Sequence, residues 1–204
     1  MQFEQGHIYH IYNQGNNRQR IFFTEENYMF FLQKMKKYLL PYCDILAWCL
    51  MPNHFHWMVY VHTTIVERAA TDGVISNHPV NTLPVSKKTR NLNDSIGILL
   101  RSYSRAVGNQ ERRNGALFRE ATKAECISLC DEITPSFIGS YIKISTPEKE
   151  YPQICFHYIH YNPVRAKLVK HPEDWKFSSF QDLAGFRNGQ LINKQRITEF
   201  GLII

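Results

Sequence analysis

His54 and His56 stand one residue apart in the stretch Trp48-Cys49-Leu50-Met51-Pro52-Asn53-His54-Phe55-His56-Trp57-Met58-Val59, where a Pro-Asn turn joins two apolar runs. In an extended strand residues i and i+2 face the same side. Both imidazoles can therefore address one metal ion or one phosphate while Phe55 and Trp57 turn the other way. Tyr158 and Asn162 lie four apart and share one side of a late helix or its final turn. A phenol acts as a nucleophile when a metal or a hydrogen bond stabilises its developing anion, and an Asn carbonyl oxygen can ligate a hard divalent ion. Together these residues offer three ligands and one nucleophile. The chemistry they suit is transesterification at a DNA phosphodiester: Tyr158 attacks phosphorus, a metal on His54 and His56 polarises a non-bridging oxygen, and the 3′-oxygen leaves.

Each residue also has an architectural reading. His-x-His in an apolar strand can be two histidines of a sheet face, and Tyr151, Cys155 and Tyr158 form a stripe that packing alone would explain. Asn162 before Pro163 can simply stop a helix. Tyr161 is a rival nucleophile, since it lies near the same stripe, and His157 and His160 can either assist in proton transfer or simply crowd the same helix. Arg18 and Arg20, just beyond the amide-rich Asn13-Gln14-Gly15-Asn16-Asn17 turn, can hold phosphate or be a solvated loop.

Several elements must bring these residues together. Residues 7 to 12 read as a first strand. Thr24 caps a helix whose buried stripe is Tyr28, Phe31, Leu32, Met35 and Leu39 and which ends near Pro41. Residues 42 to 50 and 54 to 62 form the central hairpin. From 63 to 92 Gly and Pro interrupt any long element, which predicts a mobile insertion. Asp94 or Ser95 caps a second helix with Ile96, Leu99, Leu100, Tyr103 and Val107 inward, leaving Arg101 and Arg105 on another face. A strand near Ala116 to Thr122 would complete the sheet. A short helix from Thr134 to Ile144 and a helix over 152 to 161, opened by Pro152 and stopped by Asn162-Pro163, follow. The order strand, helix, strand, strand, helix, strand predicts an α+β fold, a ferredoxin-like split βαββαβ sandwich with an antiparallel sheet and additional C-terminal helices. Its helices would lie on one face of the sheet, leaving the other free for substrate. Residues 1–204 are expected to form one domain, with 63–92 as the insertion and 134–180 as the region carrying the nucleophile.

A chain of 204 residues can bury a substantial core, and its formal charge of +6, from 24 Lys and Arg against 18 Asp and Glu, leans towards a polyanionic partner. Five scattered cysteines argue against a disulfide scaffold, and Cys126 and Cys130 lack a second pair to complete a zinc site. No run approaches the length of a membrane span and the start lacks a leader pattern, so a cytoplasmic location without membrane attachment is expected.

Four segments together resemble a known family. Tyr9-His10-Ile11-Tyr12-Asn13-Gln14-Gly15-Asn16, Cys49-Leu50-Met51-Pro52-Asn53-His54-Phe55-His56, Gly115-Ala116-Leu117-Phe118-Arg119 and the run from Tyr158 to Val169 resemble the single-tyrosine transposases of the HUH superfamily, and more closely their REP-associated branch. The likeness continues through Pro172-Glu173-Asp174-Trp175 and Ser178-Ser179-Phe180. It implies a divalent metal, Mg²⁺ or Mn²⁺, held by His54 and His56, with Tyr158 as nucleophile. Asn162 takes the place of a polar residue, often glutamine, that completes the metal site. The implied substrate is single-stranded DNA that folds into a hairpin, cut through a 5′-phosphotyrosine intermediate by a monomer or a homodimer. Arg18, Arg20, Arg101, Arg105, Arg112, Arg113, Arg119 and Arg165 are then the phosphate-contact candidates. Gly15-Asn16 stands where relatives often carry Arg-Gly, and the insertion is long; both bear on target recognition rather than on chemistry. The competing expectations are a catalytically inactive hairpin-binding protein and a metal phosphodiesterase that uses water, with Tyr158 structural.

Overall fold

The Pro52-Asn53 turn closes a hairpin between β2 (Cys43–Met51) and β3 (His54–Val61), in register from Met51 opposite His54 to Cys43 opposite Val61, with one irregularity between Ile45 and Ala47. The computed structural model describes residues 1–67, 89–129 and 146–204. β1 (Ile8–Gln14) pairs with β3 on its far side, and β6 (Lys123–Cys126) pairs with β1, giving the order β2-β3-β1-β6 with every pairing antiparallel. α1 (Glu25–Tyr38) links β1 to β2, and α2 (Leu92–Gln110) precedes β6. This is the split βαββαβ arrangement that the order of elements predicts.

One face of the sheet carries the main core. Phe31 of α1 is fully buried, with ring centroids 5.4 Å from Phe55, 5.8 Å from Trp57 and 4.8 Å from Tyr103 of α2. The expected stripes on α1 and α2 therefore point where their spacing directs them. The Thr24 position opens α1, where the side-chain oxygen of Asn27 accepts from the backbone N–H groups of Phe23 and Thr24.

Four sequence expectations are corrected. The strand that completes the sheet is Lys123–Cys126 rather than 116 to 122: Leu117 and Phe118 are buried, Phe118 against Phe31 and Phe55, and their backbone meets the end of β1 in an isolated bridge, where Asn16 N donates to Leu117 O and Arg119 N to Gln14 O. α2 starts at Leu92, because Asn91 Oδ1 accepts from Asp94 N at 2.8 Å and takes the cap. The late helix, α3, runs Pro147–Arg165 with Pro152 and Pro163 inside it. Pro147 occupies the opening position, and each internal proline removes only one ladder bond. After Pro163 the helix still closes, with Ala166 N donating to Asn162 O at 2.9 Å. Finally, the second face of the sheet is not bare. α3 lies on β2 and β3 and buries Cys155, Phe156 and Ile159 there.

The helix expected at 134 to 144 lies outside the described residues, as does most of the 63 to 92 stretch. The described ends of that stretch pair with one another as β4 (Ile65–Glu67) and β5 (Thr89–Asn91). Beyond α3 come α4 (Phe180–Leu183) and α5 (Lys194–Glu199). The chain around them seals the outer edge of β2: Leu50 N donates to Phe177 O, Ser179 N to Trp48 O and Asn193 N to Ile45 O, each at 2.9 Å. An edge strand occupied in this way has no free ladder to offer another chain.

Candidate active site

The β1–β3 register places His54 opposite Gln14 and His56 opposite Tyr12, so the histidines rise from the sheet beside the last turns of α3. Because Phe55 and Trp57 are anchored in the aromatic core, the alternation of the strand commits His54 and His56 to the α3 side. Asn162 reaches both rings from α3. Its Oδ1 lies 3.2 Å from His54 Nε2, and its Nδ2 lies 3.3 Å from His56 Nε2. Tyr158, one turn earlier, stands edge-on to His56 with ring centroids 5.3 Å apart. The four residues singled out by their spacing thus meet at one place.

Asn53 settles how His54 presents its nitrogens. His54 Nδ1 lies 2.6 Å from Asn53 Oδ1, while its Nε2 faces Asn162 Oδ1. Both partners are amide oxygens, which only accept, and a neutral imidazole has one N–H. Burial holds His54 below the ordinary histidine pKa, opposed by the Asn162 contact, so the ring is neutral at pH 7. The shorter contact takes the proton. His54 Nε2 and Asn162 Oδ1 then turn lone pairs towards each other, an arrangement that a cation completes.

A divalent metal therefore fits the residues present. Among the described residues no group of three or more His, Cys, Asp or Glu is arranged to hold a metal, so the third protein ligand would be the Asn162 carbonyl oxygen beside His54 and His56. Two imidazoles and a carbonyl make a mixed nitrogen and oxygen set open to further oxygen ligands. Burial, reinforced by His10 and His54, keeps His56 well below its usual pKa, so its ring is also neutral and able to ligate.

The site opens into a cleft of about 210 Å³ lined by Tyr12, Asn13, Gln14, His54, His56, Arg119, Ala121, Lys123 and Tyr158. Burial raises the Tyr158 pKa, while a hydrogen bond with Asn162 and the Arg165 cation pull it back. The Arg165 guanidinium lies 5.6 Å from the Tyr158 ring centroid. Tyr161 is 42% exposed on another side of α3 and does not enter the cleft. His160 is buried the opposite way, with Nε2 2.8 Å from Ser179 Oγ, and His157 lies 6.2 Å from the Tyr161 ring.

The arginines divide by place. Arg119 lines the cleft and Arg165 flanks the phenol. Arg18 and Arg20 are exposed in and after the turn that follows β1, where Asn53 Nδ2 donates to Arg18 O. Arg101 and Arg105 are exposed on α2, a helix that packs on the opposite face of the sheet from the histidines. Arg112 and Arg113 follow α2, Arg113 donating to Gln19 Oε1 and lying 5.5 Å from the Phe23 ring centroid.

Sequence reasoning gave no role to His10, Tyr12, Gln14, Lys123 or Glu125. His10 Nε2 lies 2.9 Å from His56 Nδ1, and Tyr12 donates to Glu125 Oε1 at 2.7 Å. The available signal was alternation: His10, Tyr12 and Gln14 are every second residue of β1 and share the face of His54 and His56.

No family model and no curated protein matches this chain. A solved structure, that of a REP-associated tyrosine transposase bound to a REP hairpin, aligns with a TM-score of 0.54 at 16% identity, covering 91% of this chain and 83% of that one. The likeness shows a shared fold. No helix among the described residues is long and apolar enough to cross a membrane.

Proposed function

We propose that this protein is a metal-dependent single-stranded DNA endonuclease and strand transferase acting beside DNA hairpins through a 5′-phosphotyrosine intermediate. The observation that carries this reading is the meeting of a phenol with two imidazoles at an open cleft: Tyr158 stands 5.3 Å from His56, and Asn162 spans the Nε2 atoms of His54 and His56. The shared fold supports it, since the aligned transposase carries a hairpin.

Tyr158 Oη forms a bond to phosphorus as the bond from phosphorus to O3′ breaks. The phenol gives up a proton and the departing 3′-oxygen takes one, so charge and atoms balance. Another 3′-hydroxyl attacking the phosphotyrosine reverses the step and joins strands without an external energy source. Burial disfavours free phenolate at Tyr158, and the Asn162 contact and Arg165 counter that where the new bond forms. Arg119 and Lys123, on the cleft wall, are placed to hold the flanking phosphates. Mg²⁺ or Mn²⁺ held by His54, His56 and Asn162 would supply Lewis acidity to a non-bridging phosphate oxygen. We take residues 1–204 as one catalytic unit in which 63–92 is an insertion and 134–180 carries the nucleophile, active as a monomer or a homodimer.

The test is a hairpin oligonucleotide with a labelled single-stranded flank, incubated with the protein and Mg²⁺ or Mn²⁺ and run on a denaturing gel. A protein-DNA adduct that disappears in Tyr158→Phe and persists in Tyr161→Phe is expected. Cleavage without an adduct would assign the attack to water, and binding without cleavage would leave a recognition module.

A further inference from the structure

His10 is a fully buried imidazole in the middle of β1, opposite Met58 on β3 and Glu125 on β6. A polar ring there costs stability unless it has a partner, and an apolar residue would fill the place more cheaply. Its partner is a ligand candidate: His10 Nε2 lies 2.9 Å from His56 Nδ1, with the two rings 16° from parallel. One proton occupies that contact, and Asn162 decides whose it is. His56 Nε2 faces Asn162 Nδ2, which only donates, so His56 Nε2 accepts and the His56 proton sits on Nδ1. His10 Nε2 must then be the acceptor.

We propose that His10 is a positioning residue for the metal centre: by accepting the Nδ1–H of His56, it fixes the tautomer that leaves the His56 Nε2 lone pair aimed at the ion. The inference rests on reading His54, His56 and Asn162 as the ligands. Asn53 does the same for His54, so each ligating imidazole is oriented from behind, one by a turn amide and the other by a buried ring. Were the proton reversed, with His10 donating, His56 would carry hydrogen on Nε2 and would have no lone pair for a metal. In this role His10 would act on the ion through His56 rather than as a ligand.

Two measurements on the full chain test this. Calorimetric titration with Mn²⁺ compares the wild type with His10→Phe, which keeps a ring and removes the acceptor, and with His10→Gln, whose Oε1 can accept in its place. Loss of an outer partner of a ligating histidine typically weakens metal binding by about 10–100-fold. We expect a loss in that range for His10→Phe and recovery of most of it in His10→Gln. Long-range ¹H–¹⁵N correlation spectra of the metal-free wild type should show His56 as the Nδ1–H tautomer, a readout that needs no variant and decides the matter if His10→Phe fails to fold. Wild-type affinity in folded His10→Phe, or an Nε2–H tautomer at His56, overturns the role of His10 alone. A wild type that binds no Mn²⁺ overturns the ligand reading and the role of His10 with it.

Discussion

Asn162 has one short amide to serve two imidazoles and a phenol, and its position is set by α3 rather than by the sheet. Asn162→Ala should therefore weaken Mn²⁺ binding and lower the yield of the DNA adduct together, whereas Asn162→Gln, which keeps the carbonyl on a longer stem, should retain both in part. Calorimetry and gel yield on the same preparations check this; an unchanged Mn²⁺ affinity in Asn162→Ala would remove the residue from the ligand set. At this scale His54, His56, Tyr158 and Asn162 were legible because each pair obeys a local period, two residues on a strand and four on a helix. His10 was not, because its partner is 46 residues away and reached only through the pairing of β1 with β3. The chain between them holds no local signal of that register.

α3 must stay docked if Tyr158 is to meet the histidines, and one of its anchors is titratable. His160 is fully buried, bonded to Ser179 Oγ, and burial lowers its pKa to about 3 against an ordinary value of 6.5. Below pH 6.5 the unfolded chain takes up a proton there that the folded chain refuses, so this stability is complete above 6.5 and is lost as pH falls towards 3. Between pH 6.5 and 4.5 the loss from this one residue is about 2–3 kcal/mol, at 1.36 kcal/mol per pKa unit. Urea unfolding across that range should show a shallower pH dependence in His160→Gln than in the wild type; equal slopes would mean the ring does not resist protonation. Element existence was readable from apolar periodicity in α1, α2 and the hairpin. The boundaries of α3 were misread because Pro152 resembles a start signal, while Pro147 five residues earlier supplies the actual one. The strand that closes the sheet was displaced because Leu117 and Phe118 look like strand residues yet serve as a core plug.

Across the whole molecule the net charge of +6 does not say where a polyanion lies, but the fold separates the basic residues into two sides. Arg119 and Arg165 border the cleft, whereas Arg101 and Arg105 belong to the helix on the opposite face. For single-stranded DNA each neutralised phosphate contributes about 0.7 to the slope of log affinity against log salt. Arg119→Ala and Arg165→Ala should each reduce that slope by about 0.7, measured by fluorescence anisotropy of a labelled hairpin with a single-stranded flank. Arg101→Ala and Arg105→Ala are expected to leave it nearly unchanged, and an equal reduction from them would carry the DNA path onto α2. The α+β class and strand order followed from element order, since short connections leave few topologies open. The free second face expected from the same element order did not hold, although two signs spoke against it: Ile45 to Met51 is apolar on both alternating faces, and Tyr158 can meet His54 and His56 only from a helix on their side of the sheet.

Covalent attachment at one named tyrosine is the central claim, and mass spectrometry reads it directly. After reaction with an unlabelled hairpin, nuclease trimming and trypsin, the peptide from Glu150 to Arg165 contains Tyr151, Tyr158 and Tyr161, which fragmentation separates. The expected result is a 5′-phosphonucleotide on Tyr158 and on neither neighbour. Cleaved DNA with an unmodified Tyr158, or a nucleotide on Tyr161, would contradict it.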